Sequence, residues 1–417
     1  MGGNLGVNGR FPDVTSLRSS RVVLDDGVRP ATVRWEDGVI VDIGDAPSDH
    51  DFGDLVVLPG LVDSHVHVNE PGRTEWEGFA SATRAARAGG TTTIVDMPLN
   101  SIPPTTSVEA LEVKREAAAG QLEIDVAFWG GIVPGSLAEV PGLIEAGVCG
   151  FKAFLTDSGV PEFSPVDSAR LADLSLDVPL LIHAESTEHL SESGPSYYDY
   201  LESRPSGAEA SAIASVAGLS SPVHILHVSS AEGVAAIASA GPGMTGETCP
   251  HYLVFTAGDV TGTEFKCAPP IRDEDHRQAL WEGLESGILS MIVSDHSPSP
   301  PEMKHGDFAT AWGGISSLQL RLPAVWDVAA GRGTGFSSLA RWLALAPAEL
   351  AGLDDRKGSI AVGRDADFAV FDPDGETVVS GQDLFHRHPL TPYEGKRLRG
   401  RVIETIVGSP AKMLTRR

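Results

Sequence analysis

The chain is poor in cysteine. Cys149, Cys249 and Cys267 are the only three in 417 residues, and they lack the spacing of a zinc finger or a redox pair. So sparse and odd a count excludes a disulfide framework and fits a reducing compartment. Long apolar runs are missing as well; none approaches the ~18 residues that a membrane span requires. Met1-Gly2-Gly3-Asn4-Leu5-Gly6 leads into no apolar signal region, and Gly6 stands where a myristoylation motif needs Ser or Thr. A soluble, cytoplasmic protein is the expectation. Basic residues are few: 31 Lys and Arg face 57 Asp and Glu, a formal net charge of −26. That balance disfavours nucleic acid and anionic membranes as partners. It is compatible with a small polar substrate, because a bound metal reverses the local field. No short internal repeat is evident, which argues against a solenoid.

With 41% hydrophobic and 21% charged residues, the composition is that of a globular chain. Both ends read as short strands broken by Gly and Asp turns. Arg21–Leu24, Ala31–Arg34 and Val39–Ile43 come first; Gly358–Ile360, Ala366–Phe371 and Arg401–Val407 come last. The middle alternates strand-like with helix-like runs. Its strands are read as Leu61–His67, Thr91–Met97, Ile124–Trp129, Gly150–Phe154, Leu180–His183, Val223–His227, Met244–Thr248 and Gly287–Ser294. Glu75–Ala88 and Val108–Ala119 are among the helices between them. Eight β–α units predict an α/β fold, a (β/α)8 TIM barrel over 58–356. The two terminal segments, 1–57 and 357–417, are expected to build one small β-sandwich domain together.

Chemistry on such a barrel sits where the strands end. Asp63-Ser64-His65-Val66-His67 closes the first strand, and the period of two puts His65 and His67 on one face. Lys152 lies near the end of the fourth strand, His183 ends the fifth, His227 the sixth and Asp295 the eighth. Any one of these has an ordinary structural explanation, but six metal-compatible residues on one rim do not arise easily by chance. Lys152 is the odd member, since an ammonium repels cations. Carbamylation by CO2 would convert it to a bridging carboxylate. The set then becomes four imidazoles and two carboxylates, suited to two divalent ions about 3.5–4 Å apart with a bridging hydroxide. Such ligands accept zinc, manganese, iron or cobalt. Asp295 would take a proton from the attacking water and return it to a leaving nitrogen.

Pro59–His67, Gly150-Phe151-Lys152, the two histidine strands and Val293–Pro298 resemble the cyclic amidohydrolases of the metal-dependent amidohydrolase superfamily. The likeness spans nearly the whole chain. It implies a binuclear centre, most often zinc, on His65, His67, N6-carboxylated Lys152, His183, His227 and Asp295, with Asp295 catalytic. Loop segments narrow it further. Glu70–Gly78, Asp96–Ser101, Cys249–Tyr252, Lys266–Arg272, Ser297–Lys304 and Ala311–Ile315 resemble those of the allantoinases. That branch implies allantoin as the small-molecule substrate and a homotetramer as the assembly. Asn100, Arg73 and Ala268 become candidate substrate contacts, although Asn100 in a Pro-rich loop also reads as a turn residue. Many relatives carry serine where Ala268 stands, and the tail Ser409–Arg417 departs from the usual pattern. Dihydroorotases place an arginine for the substrate carboxylate where this chain has Asn69, and an amide cannot replace that bidentate cation. Two alternatives remain: a hydantoinase or dihydropyrimidinase acting on another cyclic ureide, and a metal-free, non-catalytic scaffold.

Overall fold

Asp37 and Gly38 both take positive φ, 48° and 78°, the conformation that a two-residue hairpin turn needs. They join strands β2 (Gly27–Glu36) and β3 (Val39–Gly44). In the computed structural model, which describes residues 15–416, these belong to a seven-stranded sheet. The chain start Met1–Gly6 and the last residue, Arg417, lie outside the described residues. Strands β1 (Ser16–Leu24), β4 (His50–Asp51) and β5 (Val56–Pro59) come from the front of the chain. The other two strands of this sheet lie near the C-terminus: Asp367–Val378 and Arg397–Val407. Asp367–Val378 pairs with β5, so the two chain ends share one sheet. Bulges in β1 and β2 curl it. Its far edge returns onto the segment before Asp367, where Ile40 N–H donates to Arg364 O at 2.9 Å. The sandwich is therefore one sheet folded over its own core, with Trp35 and Phe368 rings 5.5 Å apart inside it. Gly358–Ile360 forms no strand; Gly358 has φ 87° and Ile360 plugs this core.

Gly60 carries the chain from sheet to barrel. A Cβ there would collide with the Thr92 side chain, so glycine is required. The barrel staves are β6 (Leu61–Val66), β7 (Thr91–Asp96), β8 (Asp125–Phe128) continued by β9 (Gly130–Gly131), β10 (Phe151–Phe154), β11 (Leu180–His183), β12 (Val223–Ile225), β13 (Met244–Thr248) and β14 (Met291–Ile292). The two remaining strands are β15 (Asp367–Val378) and β16 (Arg397–Val407). All barrel pairings are parallel. The ring closes where His67 N–H donates to His296 O at 2.8 Å. Fully buried Arg321 ties the same seam, donating to Val62 O at 2.8 Å and Ile292 O at 3.3 Å.

Some elements are shorter than their sequence patterns. The first barrel helix begins at Phe79 instead of Glu75, because Gly78 sits at φ 95°. The eighth strand begins at Met291 instead of Gly287, because Gly287 caps the preceding helix in the left-handed region. The sixth stops at Ile225, two residues before His227, whose φ is 39°. The divergent tail packs at the foot of the barrel: Leu414 N–H donates to Val126 O at 2.8 Å, and Arg416 reaches Cys149 O at 2.9 Å. Among the described residues, no helix is long and apolar enough to cross a membrane.

Buried Glu209 makes stability pH-dependent. It accepts from Ser229 N–H at 2.9 Å and from the Ser230 hydroxyl. Burial outweighs Arg272 and these bonds and pushes its carboxyl up to about 6. A raised carboxyl favours the folded state while protonated. That contribution is complete below pH 4.5 and is lost as pH rises to about 6. Relative to Glu209→Gln, the wild-type denaturation midpoint is expected to fall across this window. A constant difference between the two proteins from pH 4 to 7 contradicts it.

Candidate metal centre and active site

All six rim residues converge. His65 Nε2 lies 3.1 Å from Asp295 Oδ1 and 3.3 Å from Lys152 Nζ. His67 Nε2 is 3.6 Å from the same carboxylate oxygen. His183 Nδ1 and His227 Nε2 face each other at 3.0 Å, and the His65 and His227 ring centroids are 5.4 Å apart. Every one of the six is buried. Phe154 stacks on His183 at 4.4 Å and lies 5.1 Å from Lys152 Nζ, giving the pocket an apolar wall.

The surroundings fix which imidazole nitrogen offers a lone pair. A carbonyl only accepts, so His67 Nδ1–H donates to Leu99 O at 3.0 Å and Nε2 is bare. His65 Nδ1 sits 2.5 Å from Glu247, whose other oxygen is 3.1 Å from His224 Nε2. His183 Nε2 is 2.8 Å from Glu185, itself paired with Arg204 at 2.9 Å. Carboxylate or carbonyl partners on the outer nitrogen are how metal-binding histidines are oriented. Among the described residues, His227 Nδ1 has no hydrogen-bond partner.

The electrostatics agree. Burial opposes charge on His65, yet Asp295 and Glu247 on its two nitrogens raise its pKa. Burial and the Lys152 ammonium hold His67 well below its usual value. Burial acts against the Asp295 carboxylate, but His65 and its neighbours hold it well below the ordinary range. Burial lowers Lys152 to about 8, against the pull of Asp295 and Glu247. Burial keeps His67, His183 and His227 neutral, whereas Asp295 and Glu247 favour a proton on His65 that a bound cation would displace; four imidazoles beside a carboxylate form a donor set that fits divalent cations. His65, His67 and Asp295 offer ligand atoms within 4.8 Å of one another.

The candidate substrate contacts are placed less directly. Asn100 Nδ2–H donates to Asn69 Oδ1 at 3.0 Å, and Asn69 Nδ2 to Pro298 O at 3.3 Å. Asn69 thus anchors the Asn100 side-chain amide. Arg73 spends its guanidinium on Asn100 O at 2.5 Å and Glu162 at 3.1 Å, over the Trp76 ring. Ala268 is half-buried between Cys267 O and Pro269 O, which accept from Tyr200 at 2.9 Å and Tyr252 at 2.6 Å. His296, next to Asp295, faces away. Its Nδ1 accepts from Ser317 and Leu318 N–H, and Nε2 points to Glu77 at 3.4 Å.

Sequence patterns do not single out Glu247, Glu185 or Asp63, all buried. Asp63 accepts from Ser294 N–H at 3.1 Å and holds the last stave beside the first. Glu247 lies in the polar run Met244-Thr245-Gly246-Glu247-Thr248, so the signal that marks Lys152, a charge within an apolar strand, does not mark it. Of the four non-glycine residues with positive φ among those described, Asn69, His227 and Asp295 line the site. Such strain gathers where a site over-determines its backbone.

Known proteins resemble the chain in sequence and fold. The amidohydrolase family model matches residues 56–410. The allantoinase of Streptomyces avermitilis is 49% identical, the match covering 93% of each chain. That of Saccharomyces cerevisiae is 39% identical over 94% of each. The solved L-hydantoinase (dihydropyrimidinase) of Arthrobacter aurescens superposes with a TM-score of 0.90 at 28% identity, covering 96% of this chain and 99% of that one. A barrel rim built from these six side chains, and matches that run along more than nine-tenths of the sequence, place the chain in the amidohydrolase family.

Proposed function

We propose that the chain hydrolyses the hydantoin ring of allantoin to allantoate, a step of purine breakdown. The observation that carries this reading is the convergence of His65, His67, Lys152, His183, His227 and Asp295 in a chain whose full-length curated relatives are allantoinases. Hydantoinases match the fold at lower identity. His65, His67 and Asp295 would hold one divalent ion, His183 and His227 a second, and carboxylated Lys152 would bridge them. Bound there, such ions acidify water and polarise a carbonyl. Lys152 suits the modification because a pKa of about 8 leaves part of it as free amine near neutrality. The amine would attack CO2: an N–C bond forms as one C=O π bond opens to a carboxylate oxygen, and an N–H proton passes to water.

The side chains divide the remaining work. Asp295 accepts the proton of the attacking water as the new C–O bond forms on the ring carbonyl. It hands that proton to the ring nitrogen as the C–N bond breaks. Glu247, Glu185 and Leu99 O keep the imidazoles turned inward. Asn69 orients Asn100 toward the ureide. The same reading takes 58–356 as the barrel unit, with 1–57 and 357–417 as its β partner. It also takes the assembly as a cytoplasmic homotetramer, with zinc the leading candidate metal; the three cysteines are free and buried, as a reducing compartment allows.

Metal analysis of the purified protein separates enzyme from scaffold. Close to two divalent ions per chain are expected; essentially none contradicts the reading. Substrate charge supplies a second test. Asn69 offers no cation to a carboxylate, so dihydroorotate should be a very poor substrate. A missing bidentate ion pair in a partly buried site costs on the order of 2–5 kcal/mol, which is more than ~10-fold in rate. Dihydroorotate turnover comparable to that of allantoin would overturn the assignment.

A further inference from the structure

Cys249 directly follows β13 and caps the short helix Pro250–Val254, in whose first turn His251 stands. Neither belongs to the six-residue set. Cys249 Sγ, a His251 ring nitrogen and an Asp295 oxygen lie within 4.8 Å of one another, all three residues buried. Both His251 nitrogens are buried without a hydrogen-bond partner among the described residues. An imidazole carries one donor and one acceptor, and leaving both unmade in a protein interior is costly. The ring packs edge-on against Tyr252 at 4.2 Å, which fixes its direction.

We infer that Cys249, His251 and Asp295 form a third cation position, selective for a thiophilic divalent ion such as zinc in excess. Sulfur makes the selection: the six-residue set offers nitrogen and oxygen only, whereas a thiolate favours zinc or cadmium over magnesium or manganese. On binding, the Cys249 S–H proton leaves to solvent as the sulfur–metal bond forms. The shared ligand gives the position a consequence. An ion held by Cys249 and His251 draws the Asp295 carboxylate away from its proton transfer. The enzyme is then inhibited by the kind of metal that activates it. This consequence, though not the binding itself, rests on the role given to Asp295 above.

The test is a titration of the full-length holoenzyme with cadmium chloride. It reads the ultraviolet thiolate-to-cadmium charge-transfer band, cadmium per chain and the rate of allantoin hydrolysis. Cadmium exchanging into the six-residue set produces no such band, since that set holds no sulfur. Wild type and Cys267→Ser are expected to show the band with parallel loss of rate. Cys249→Ser is expected to lose the band and bind one ion fewer. His251→Gln should weaken cadmium binding by at least ~10-fold, the least that loss of even a supporting partner costs a metal site. Absence of the band from wild type overturns the proposal and needs no variant to fold. A band that persists in Cys249→Ser, or unchanged affinity in His251→Gln, also overturns it. A chain that shows the band and loses it in Cys249→Ser, yet does not open allantoin, refutes the assigned substrate and upholds the cation position.

Discussion

Asp295→Asn is expected to keep nearly all of its metal and to lose turnover by at least the ~10²–10⁴-fold that general acid–base catalysis contributes. Asparagine preserves the size and one oxygen to stand where Oδ1 now lies, 3.1 Å from His65 Nε2 and 3.6 Å from His67 Nε2. It cannot accept a proton. Burial opposes the charge of the wild-type carboxyl, but His65 and the surrounding imidazoles hold it well below its ordinary range, so it is unprotonated and open to a proton at neutral pH. His296 cannot take over, because its ring is fixed between the Ser317 and Leu318 amides and Glu77. The wild-type rate should fall on the acid side as the site takes up a proton. Groups this close titrate together, so the midpoint belongs to the site and not to one residue. Metal content read beside the pH dependence of turnover decides the matter. A variant that holds its metal and works within a fewfold of wild type would mean that another group is the base.

Lys152→Ala is expected to lose both bound metal and activity, the largest effect of any single substitution in this chain. Lys152 is 1% exposed and sits between the two imidazole pairs, 3.3 Å from His65 Nε2. Without the carboxylated side chain no anion would join the two ion positions. Short carboxylic acids are expected to restore part of both metal and rate, because an acid small enough for the vacated space supplies the missing oxygens. Apolar Phe154 walls that space and keeps it defined. Metal analysis and turnover with and without added acetate or propionate make the measurement. Full metal content and full rate in Lys152→Ala would remove the binuclear account.

The barrel and its rim were legible because several barrel strands are apolar runs that close on a polar residue. His65, His67, His183, His227 and Asp295 stand at or just beyond such ends, while Lys152 is betrayed by its charge inside the apolar strand Phe151–Phe154. What escaped depends on contacts between residues far apart in the chain. Glu247 orients His65 across 182 positions, and Asp63 meets Ser294 across 231. No local pattern carries such pairings. The strand ends at His227 and Asp295 were blurred for a related reason: positive φ at non-glycine residues is imposed by the site and not by propensity. Arg73 reads as a candidate substrate contact, but the sequence does not reveal that Glu162 and Asn100 O occupy its guanidinium. Curling of the terminal sheet was likewise hidden, since the bulges in β1 and β2 leave no turn signal.

Steady-state kinetics on four cyclic amides decide which substrate the site is built for. The metal-loaded protein is assayed on allantoin, hydantoin, dihydrouracil and dihydroorotate under one set of conditions, with ring opening followed in each case. The account predicts the highest kcat/KM for allantoin, with allantoate as product, and the lowest for dihydroorotate. A higher kcat/KM for hydantoin or dihydrouracil than for allantoin would contradict it.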